Sequence, residues 1–212
     1  MAQYQAGGAV APRPVLELIK QPLYDTTAIV TGATTATFFA LPVGSADPGA
    51  INGVNKTFSE TNLRRAGALA TPQQMDAYAI SLKFPASITR AEHTDFLARS
   101  NYNLEVGQKS YLRVRATVIP ADTSQVVDQL AVAEDSVYNG WSLHSDVFDV
   151  SIPEELFDPS TGRTFLTGRR VPIHFPSEQQ FAVTLEMVAM ITLAQTQRVE
   201  TLLWGVLKRE VQ

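Results

Sequence analysis

The chain has 212 residues, a net charge of −4 and no cysteine. The lack of cysteine excludes disulfides and thiol catalysis, and the acidic balance gives no overall attraction to nucleic acid. Hydrophobic residues, at 45%, suffice for a core, whereas charged residues, at 18%, fall below the usual share of about 25%. No run approaches the roughly 18 apolar residues of a transmembrane helix. The composition predicts one large domain or two small ones, with surface buried against partners.

Residues 1–14, M-A-Q-Y-Q-A-G-G-A-V-A-P-R-P, are small, polar and proline-containing. They predict a flexible N-terminal arm, either frayed or ordered against a neighbouring subunit. Because they lack a basic stretch followed by an apolar core, they do not predict a secretory signal, and we expect synthesis in the cytoplasm. Residues 15–212 are predicted to form a single domain.

The first half of that domain is rich in strand-forming sequence. Residues 23–30 and 34–41 carry Thr, Val, Ile and Phe and predict two strands. Gly32 between them lacks the further glycines of a phosphate-binding loop, so it predicts a turn. Residues 42–55 contain the turn signals D-P-G and N-G and predict a loop.

The middle of the chain predicts one long strand and one short helix. Gln74–Phe84 alternates as a strand does, and one face is predicted to carry Tyr78, Ile80, Leu82 and Phe84. Thr89 and Glu92 are spaced as in a capping box, which predicts a helix over residues 89–99. Residues 102–106 and 111–119 predict two further strands.

The last third of strand-forming sequence spans residues 179–212. Residues 181–193 alternate with a period of two, and residues 198–212 form a second segment that is apolar on both faces. The two segments flank the polar break Q-T-Q and predict an antiparallel hairpin in the middle of a sheet, with Trp204 in the core. A helix over residues 183–193 is the alternative.

Eight to ten short strands are predicted in all, with glycine, proline and asparagine at the turns. Residues 171–175 are interrupted by Pro172 and bounded by Pro176, so they predict an edge strand. This pattern predicts an all-β fold, an antiparallel β-sandwich of the single jelly-roll type, with one or two short helices in loops.

The search for reactive groups predicts no catalytic, cofactor-binding or metal site, and therefore no enzyme. The three histidines, His93, His144 and His174, lack the spacing of a metal-ligand set. A glycosidase pair would need convergence in the fold among Asp146, Asp149, Glu154 and Glu155. Trp141 and Trp204 are the candidates for stacking on a sugar.

Several stretches resemble a known family. They are T-F-F-A-L-P-V-G (37–44), K-T-F-S-E-T-N-L (56–63), A-G-A-L-A-T-P-Q-Q (66–74), F-A-V-T-L-E-M (181–187) and L-L-W-G-V-L-K-R-E-V-Q (202–212). Together they resemble the jelly-roll coat proteins of tailless icosahedral bacteriophages. The resemblance implies a capsid subunit that self-assembles into capsomers, encloses the viral genome and resides in the virion.

The same resemblance implies the partners. These are other copies of the chain, other virion proteins, and an internal membrane or genome layer. The chain departs from many small viral coats in lacking a strongly basic arm, so we expect no direct, sequence-specific binding of nucleic acid. The alternative from another class is a carbohydrate-binding β-sandwich, that is, a receptor-binding or lectin-like module. An enzyme on a β scaffold is a third hypothesis.

Overall fold

The computed structural model describes residues 16–85, 87–118, 121–123, 148–149, 152–158 and 163–210. The predicted arm, residues 1–14, lies outside this set. Strands account for 51% of the chain, and two antiparallel sheets pack against each other, which confirms the all-β sandwich. In chain order the elements are β1 (Leu16–Lys20), β2 (Leu23–Ile29), β3 (Thr35–Phe38), β4 (Gln74–Phe84), α1 (Arg90–Arg99), β5 (Ser100–Val106), β6 (Lys109–Arg115), a 3-10 turn (Ala116–Val118), β7 (Ala121–Thr123), β8 (Phe148–Asp149), β9 (Ile152–Asp158), β10 (Arg163–Val171), β11 (Ile173–Phe175), β12 (Phe181–Met187) and β13 (Gln197–Glu210).

The order of the strands in space is that of a jelly roll. In the first sheet β1 and β2 pair with one edge of β13, β4 pairs with the other, and β11 follows β4. The second sheet has the order β3-β12-β5-β6. Among these strands, taken in chain order, every connection from β2 onward changes sheet except the one from β5 to β6. Counting β1 and β2 as one interrupted strand, these eight strands form the two Greek keys of a jelly roll.

Short pieces complete the margin of the first sheet. β7, β8 and β11 all pair along the edge of β4 that faces away from β13. β11 is limited to three residues between prolines, which confirms the predicted edge position for residues 173–175, whereas Val171 ends β10. β9 and β10 form a separate antiparallel pair within the connection from β6 to β11.

The core lies between the inner faces of the two sheets. Side chains from both sheets, among them Phe38, Ile80, Leu104, Val183 and Leu203, are fully buried there. The hydroxyls of Tyr102 and Thr201 form a hydrogen bond of 2.8 Å from one sheet to the other. Burial raises the pKa of Tyr102, so this phenol stays protonated and satisfied inside the core.

The predicted C-terminal hairpin is wrong. β12 belongs to the second sheet, where it pairs with β3 and β5, and β13 belongs to the first. Pairing in β12 stops at Met187, and residues 188–196 carry the chain across the end of the sandwich. There Ile191 and Leu193 are buried, whereas Val188 and Met190 are exposed. Alternating apolar residues thus continue past the strand because the crossover itself covers the core.

The predicted faces of β4 and β13 also need correction. Trp204 pairs with Ala79 and Gly205 with Ala77, so Tyr78 is the extra residue of a β-bulge. The bulge turns Tyr78 outward, leaving it 40% exposed, and Trp204 is 38% exposed rather than in the core. A Cβ on Gly205 would lie 2.2 Å from the carbonyl oxygen of Asp76, so the strands approach this closely only at a glycine.

The predicted helix is confirmed. α1 begins after Thr89, whose hydroxyl accepts a hydrogen bond from the backbone N–H of Glu92, while the Glu92 carboxylate accepts from the backbone N–H of Thr89. His93 and Phe96 are the buried residues of this helix, and both rings contact Phe84 edge-on. The helix therefore closes the end of the sandwich next to the last residue of β4.

Candidate functional surfaces

Two aromatic side chains stand together on the outer face of the first sheet. Trp204 and Tyr78 line a shallow depression with Pro22, at whose rim lie Lys20 and Gln21. We call Trp204, Tyr78 and Pro22 the aromatic platform. The depression measures about 570 Å³, which is the size of a pocket for a small ligand or a short peptide segment.

The indole of the platform is held in one orientation. Its Nε1–H donates a hydrogen bond of 3.0 Å to the hydroxyl of Ser81, which is only 7% exposed. The polar edge of the ring is thereby satisfied inside the sheet, and its apolar surface remains accessible. A fixed aromatic ring of this kind contacts flat apolar groups or cations at little cost in side-chain entropy.

Three irregularities of the first sheet coincide at this platform. The strand formed by β1 and β2 is interrupted at Gln21 and Pro22, β13 carries Gly205, and β4 carries its bulge at Tyr78. Each interruption weakens the hydrogen-bonded ladder locally. Their common result is that a second aromatic ring is placed outside, beside Trp204.

A second apolar surface lies at one end of the sandwich. Val30 follows β2, and Val188 and Met190 lie in the crossover from β12 to β13; they are 53%, 78% and 69% exposed. We call these three residues the end patch. The backbone N–H of Gly32 donates to the carbonyl of Ile191 at 2.9 Å, so the two connections are joined. Large contiguous patches of exposed apolar groups mark contact surfaces, so the end patch is a candidate contact surface.

α1 is hydrogen-bonded to the crossover from β12 to β13, which carries Val188 and Met190 of the end patch. The backbone N–H of Ala194 donates to the carboxylate of Glu92 at 2.6 Å. This hydrogen bond, together with those from Thr89, lowers the pKa of Glu92 below its usual value. The carboxylate is therefore ionised across the neutral pH range and links the helix N-terminus to the crossover.

The connection between β3 and β4, residues 39–73, covers the outer edge of β2. The backbone N–H of Thr26 donates to the carbonyl of Glu60 at 2.8 Å, and an isolated bridge joins Asp25 to Thr61. Lys56 and Asp25 form an ion pair of 2.6 Å and are 3% and 0% exposed. Burial raises the pKa of Asp25, and Lys56 and the backbone N–H of Phe39 oppose this shift. The edge is thus protected from pairing with another chain by a buried electrostatic contact.

The two histidines with described side chains do not converge. His93 lies in α1 beside the last residue of β4, whereas His174 in β11 pairs with Asp76 near the first residues of β4. His144 lies outside the described residues. Among the residues whose side chains are described, no group of three His, Cys, Asp or Glu side chains is placed to hold a metal ion.

The remaining candidates from the sequence have mixed outcomes. Trp204 is exposed and belongs to the aromatic platform, while Trp141 and Asp146 lie outside the described residues. Asp149 lies in β8, whereas Glu154 and Glu155 lie in β9, and the two strands belong to different sheets.

Sequence reasoning missed the outward position of Tyr78 and Trp204. A signal was present in Pro22 and Gly205, because proline and glycine within strands often mark a break or a bulge. It also missed the buried ion pair, since Lys56 lies in a polar stretch that gives no sign of burial.

His174 and Lys208 form a charged group around Asp76 on the outer face of the first sheet. His174 Nδ1 lies 2.7 Å from one carboxylate oxygen, and Lys208 Nζ contacts the other. Burial alone would raise the pKa of Asp76, but the hydrogen bonds from Lys208 and His174 outweigh it and lower the pKa. The ion pair to Lys208 and the hydrogen bond to His174 together join β4, β11 and β13 on a partly exposed surface.

Comparison of the chain with protein-family models, with curated proteins and with solved structures finds no match. Within the part of the chain that the structure describes, none of the helices has the length and apolarity needed to span a membrane. Function has to be inferred from the fold and from its exposed surfaces.

Proposed function

We propose that the protein is a structural virion protein, an icosahedral capsid subunit that self-assembles into capsomers and encloses a viral genome. The observation that carries the proposal is the strand order, β1/β2-β13-β4-β11 against β3-β12-β5-β6. Eight-stranded jelly rolls with two Greek keys recur in viral capsid domains and in lectins. A fold alone does not determine function, so the surfaces of the chain have to favour one of these uses.

The end patch favours assembly. Three large apolar side chains, each more than half exposed, lie in two connections that a backbone hydrogen bond joins at one end of the sandwich. An apolar patch on one part of a subunit that meets a different part of the next generates a ring when the rotation between subunits closes, and a ring is the form of a capsomer. The protected edge of β2 complements this arrangement, because it suppresses uncontrolled edge-to-edge pairing while leaving the end free for specific contacts.

The partners follow from this role. Other copies of the chain form the capsomer, and other virion proteins complete the shell. An internal membrane or a genome layer lies beneath it. With a net charge of −4, the chain has no overall attraction to nucleic acid, so enclosure of the genome does not require sequence-specific binding. The site of action is the virion, after synthesis in the cytoplasm of the host.

The test changes the end patch and follows assembly by light scattering over a range of protein concentrations. We expect Val188→Asp to raise the concentration needed for assembly at least tenfold, because a carboxylate would have to be desolvated at the contact. Val54→Asp is the matched control, since Val54 is 62% exposed in the connection between β3 and β4 and is not one of the three residues of the end patch. Equal assembly of both variants and the unchanged chain contradicts a role for the end patch.

A carbohydrate-binding module is the second candidate, and the aromatic platform is the observation that favours it. Exposed aromatic rings with hydrogen-bonding side chains at the rim are suited to stacking on a sugar. A glycan array probed with the purified chain tests this function. Retention on a defined glycan that is lost in Trp204→Ala supports the module, and no retention on any glycan argues against it.

A further inference from the structure

The aromatic platform lacks an occupant among the described residues. Trp204 and Tyr78 are 38% and 40% exposed, and Leu18, which lies further along the same outer face, is 64% exposed. The sheet departs from regular pairing in three strands to present the two rings together. Bulges that redirect a side chain are typical of functional positions, so a specific ligand is expected here.

The chain itself contains a sequence suited to such a surface. Residues 11–14 read A-P-R-P. Proline fixes its own φ near −65° and pushes the preceding residue toward extended conformations, so both Ala11 and Arg13 are biased to polyproline II. Aromatic-lined grooves bind polyproline II segments, which lose little entropy on binding. A guanidinium between two prolines is in addition attracted to the face of an indole.

The length of the chain decides which copy supplies the segment. Leu16 pairs with Glu210, six residues beyond Trp204 on β13, which corresponds to about 20 Å at ~3.3 Å per residue. Pro14 precedes Leu16 by two residues and therefore reaches at most ~7 Å from it. Residues 11–14 cannot lie as a unit over the platform of their own subunit. They can reach the platform of a neighbouring one.

We propose that the aromatic platform of one copy binds residues 11–14 of a neighbouring copy, with Pro12 and Pro14 against the rings and the guanidinium of Arg13 over the indole of Trp204. This contact deepens the proposed function, since it rests on self-association of the chain. It is heterologous: the segment ahead of β1 in one subunit contacts the outer face of the first sheet in the next.

The absence of native cysteine permits a direct test by disulfide trapping between full-length chains. One chain carries Ala11→Cys, which leaves P-R-P intact, and the other carries Lys20→Cys at the rim of the platform. In a mixture of the two, a mixed disulfide between residues 11 and 20 necessarily joins two copies. We expect it to form at least tenfold faster than the disulfide from a matched mixture of Ala11→Cys with Val54→Cys, a control position that is 62% exposed.

Second substitutions identify the groups responsible. Trp204→Ala in the Lys20→Cys chain is expected to reduce trapping to the control rate. If this variant folds poorly, Arg13→Ala in the Ala11→Cys chain serves instead, because Arg13 precedes the first strand of the sandwich, and it is expected to slow trapping at least threefold. Equal rates at positions 20 and 54 overturn the proposal, as does fast trapping that neither substitution reduces. Retention of a glycan by the platform combined with the control rate assigns the surface to sugar.

Electron microscopy of the same samples tests the capsid function separately, by showing whether particles form. Trapping without particles leaves the contact standing and removes the capsid function. Particles without trapping leave the capsid function standing and overturn the proposed contact.

Discussion

The buried ion pair between Lys56 and Asp25 makes a sharp prediction about stability. Lys56→Met keeps an unbranched apolar side chain close to the length of the lysine stem but leaves the carboxylate of Asp25, which is 0% exposed, without its cation. Breaking a buried pair by removing one partner costs about 3–5 kcal/mol, because the remaining charge stays desolvated. We expect a loss of this size in the free energy of unfolding at pH 7, measured by urea denaturation with far-UV circular dichroism.

A double substitution separates the charge from the packing. Asp25 Oδ2 also accepts a hydrogen bond of 2.6 Å from the backbone N–H of Phe39. An asparagine oxygen retains that bond without the charge, so Asp25→Asn combined with Lys56→Met is expected to recover at least half of the loss. Because burial raises the pKa of Asp25, the loss in Lys56→Met alone should also shrink as the pH falls and the carboxyl takes up a proton.

An exposed ion pair provides the control. Arg113 and Glu186 are separated by 3.1 Å and their side chains are 68% and 39% exposed. Arg113→Met is therefore expected to cost less than about 1 kcal/mol. A loss below about 1 kcal/mol in Lys56→Met, indistinguishable from this control, would refute the reasoning that the pair holds residues 39–73 against β2.

Two further predictions concern the end and the bulge of the sandwich. Burial lowers the pKa of His93 to about 4, so the folded state resists protonation of this ring. The free energy of unfolding, measured with urea, should therefore decline by about 3 kcal/mol between the unfolded pKa of about 6.5 and pH 4. His93→Phe should flatten this pH profile, and an unchanged slope would contradict the assignment. Gly205→Ala places a methyl group 2.2 Å from the carbonyl oxygen of Asp76 and should lower stability by about 1–3 kcal/mol; an unchanged thermal midpoint means that the bulge tolerates a side chain.

The all-β class and several elements follow from local sequence. Alternation in Phe181–Met187, the spacing of Thr89 and Glu92, and the prolines around residues 173–175 each predict what the structure contains. These signals succeed because the period of side chains, the helix cap and the missing N–H of proline act within a few residues.

The sheet assignments depend on distant contacts and could not be predicted. The alternation of β12 and β13 is the same whether the strands pair with each other or lie in opposite sheets, since both arrangements bury one face. The bulge is likewise a property of two strands, and it reverses the direction of Tyr78 relative to a regular strand. The resemblance to phage coat proteins remains a prediction.

Electron microscopy of the purified full-length chain at increasing protein concentration tests the central claim most directly. A capsid subunit is expected to form uniform capsomers or closed shells of one diameter, and Val188→Asp should reduce their number while leaving the circular dichroism spectrum unchanged. Single, unassociated subunits at every concentration, with the sandwich folded, contradict the account.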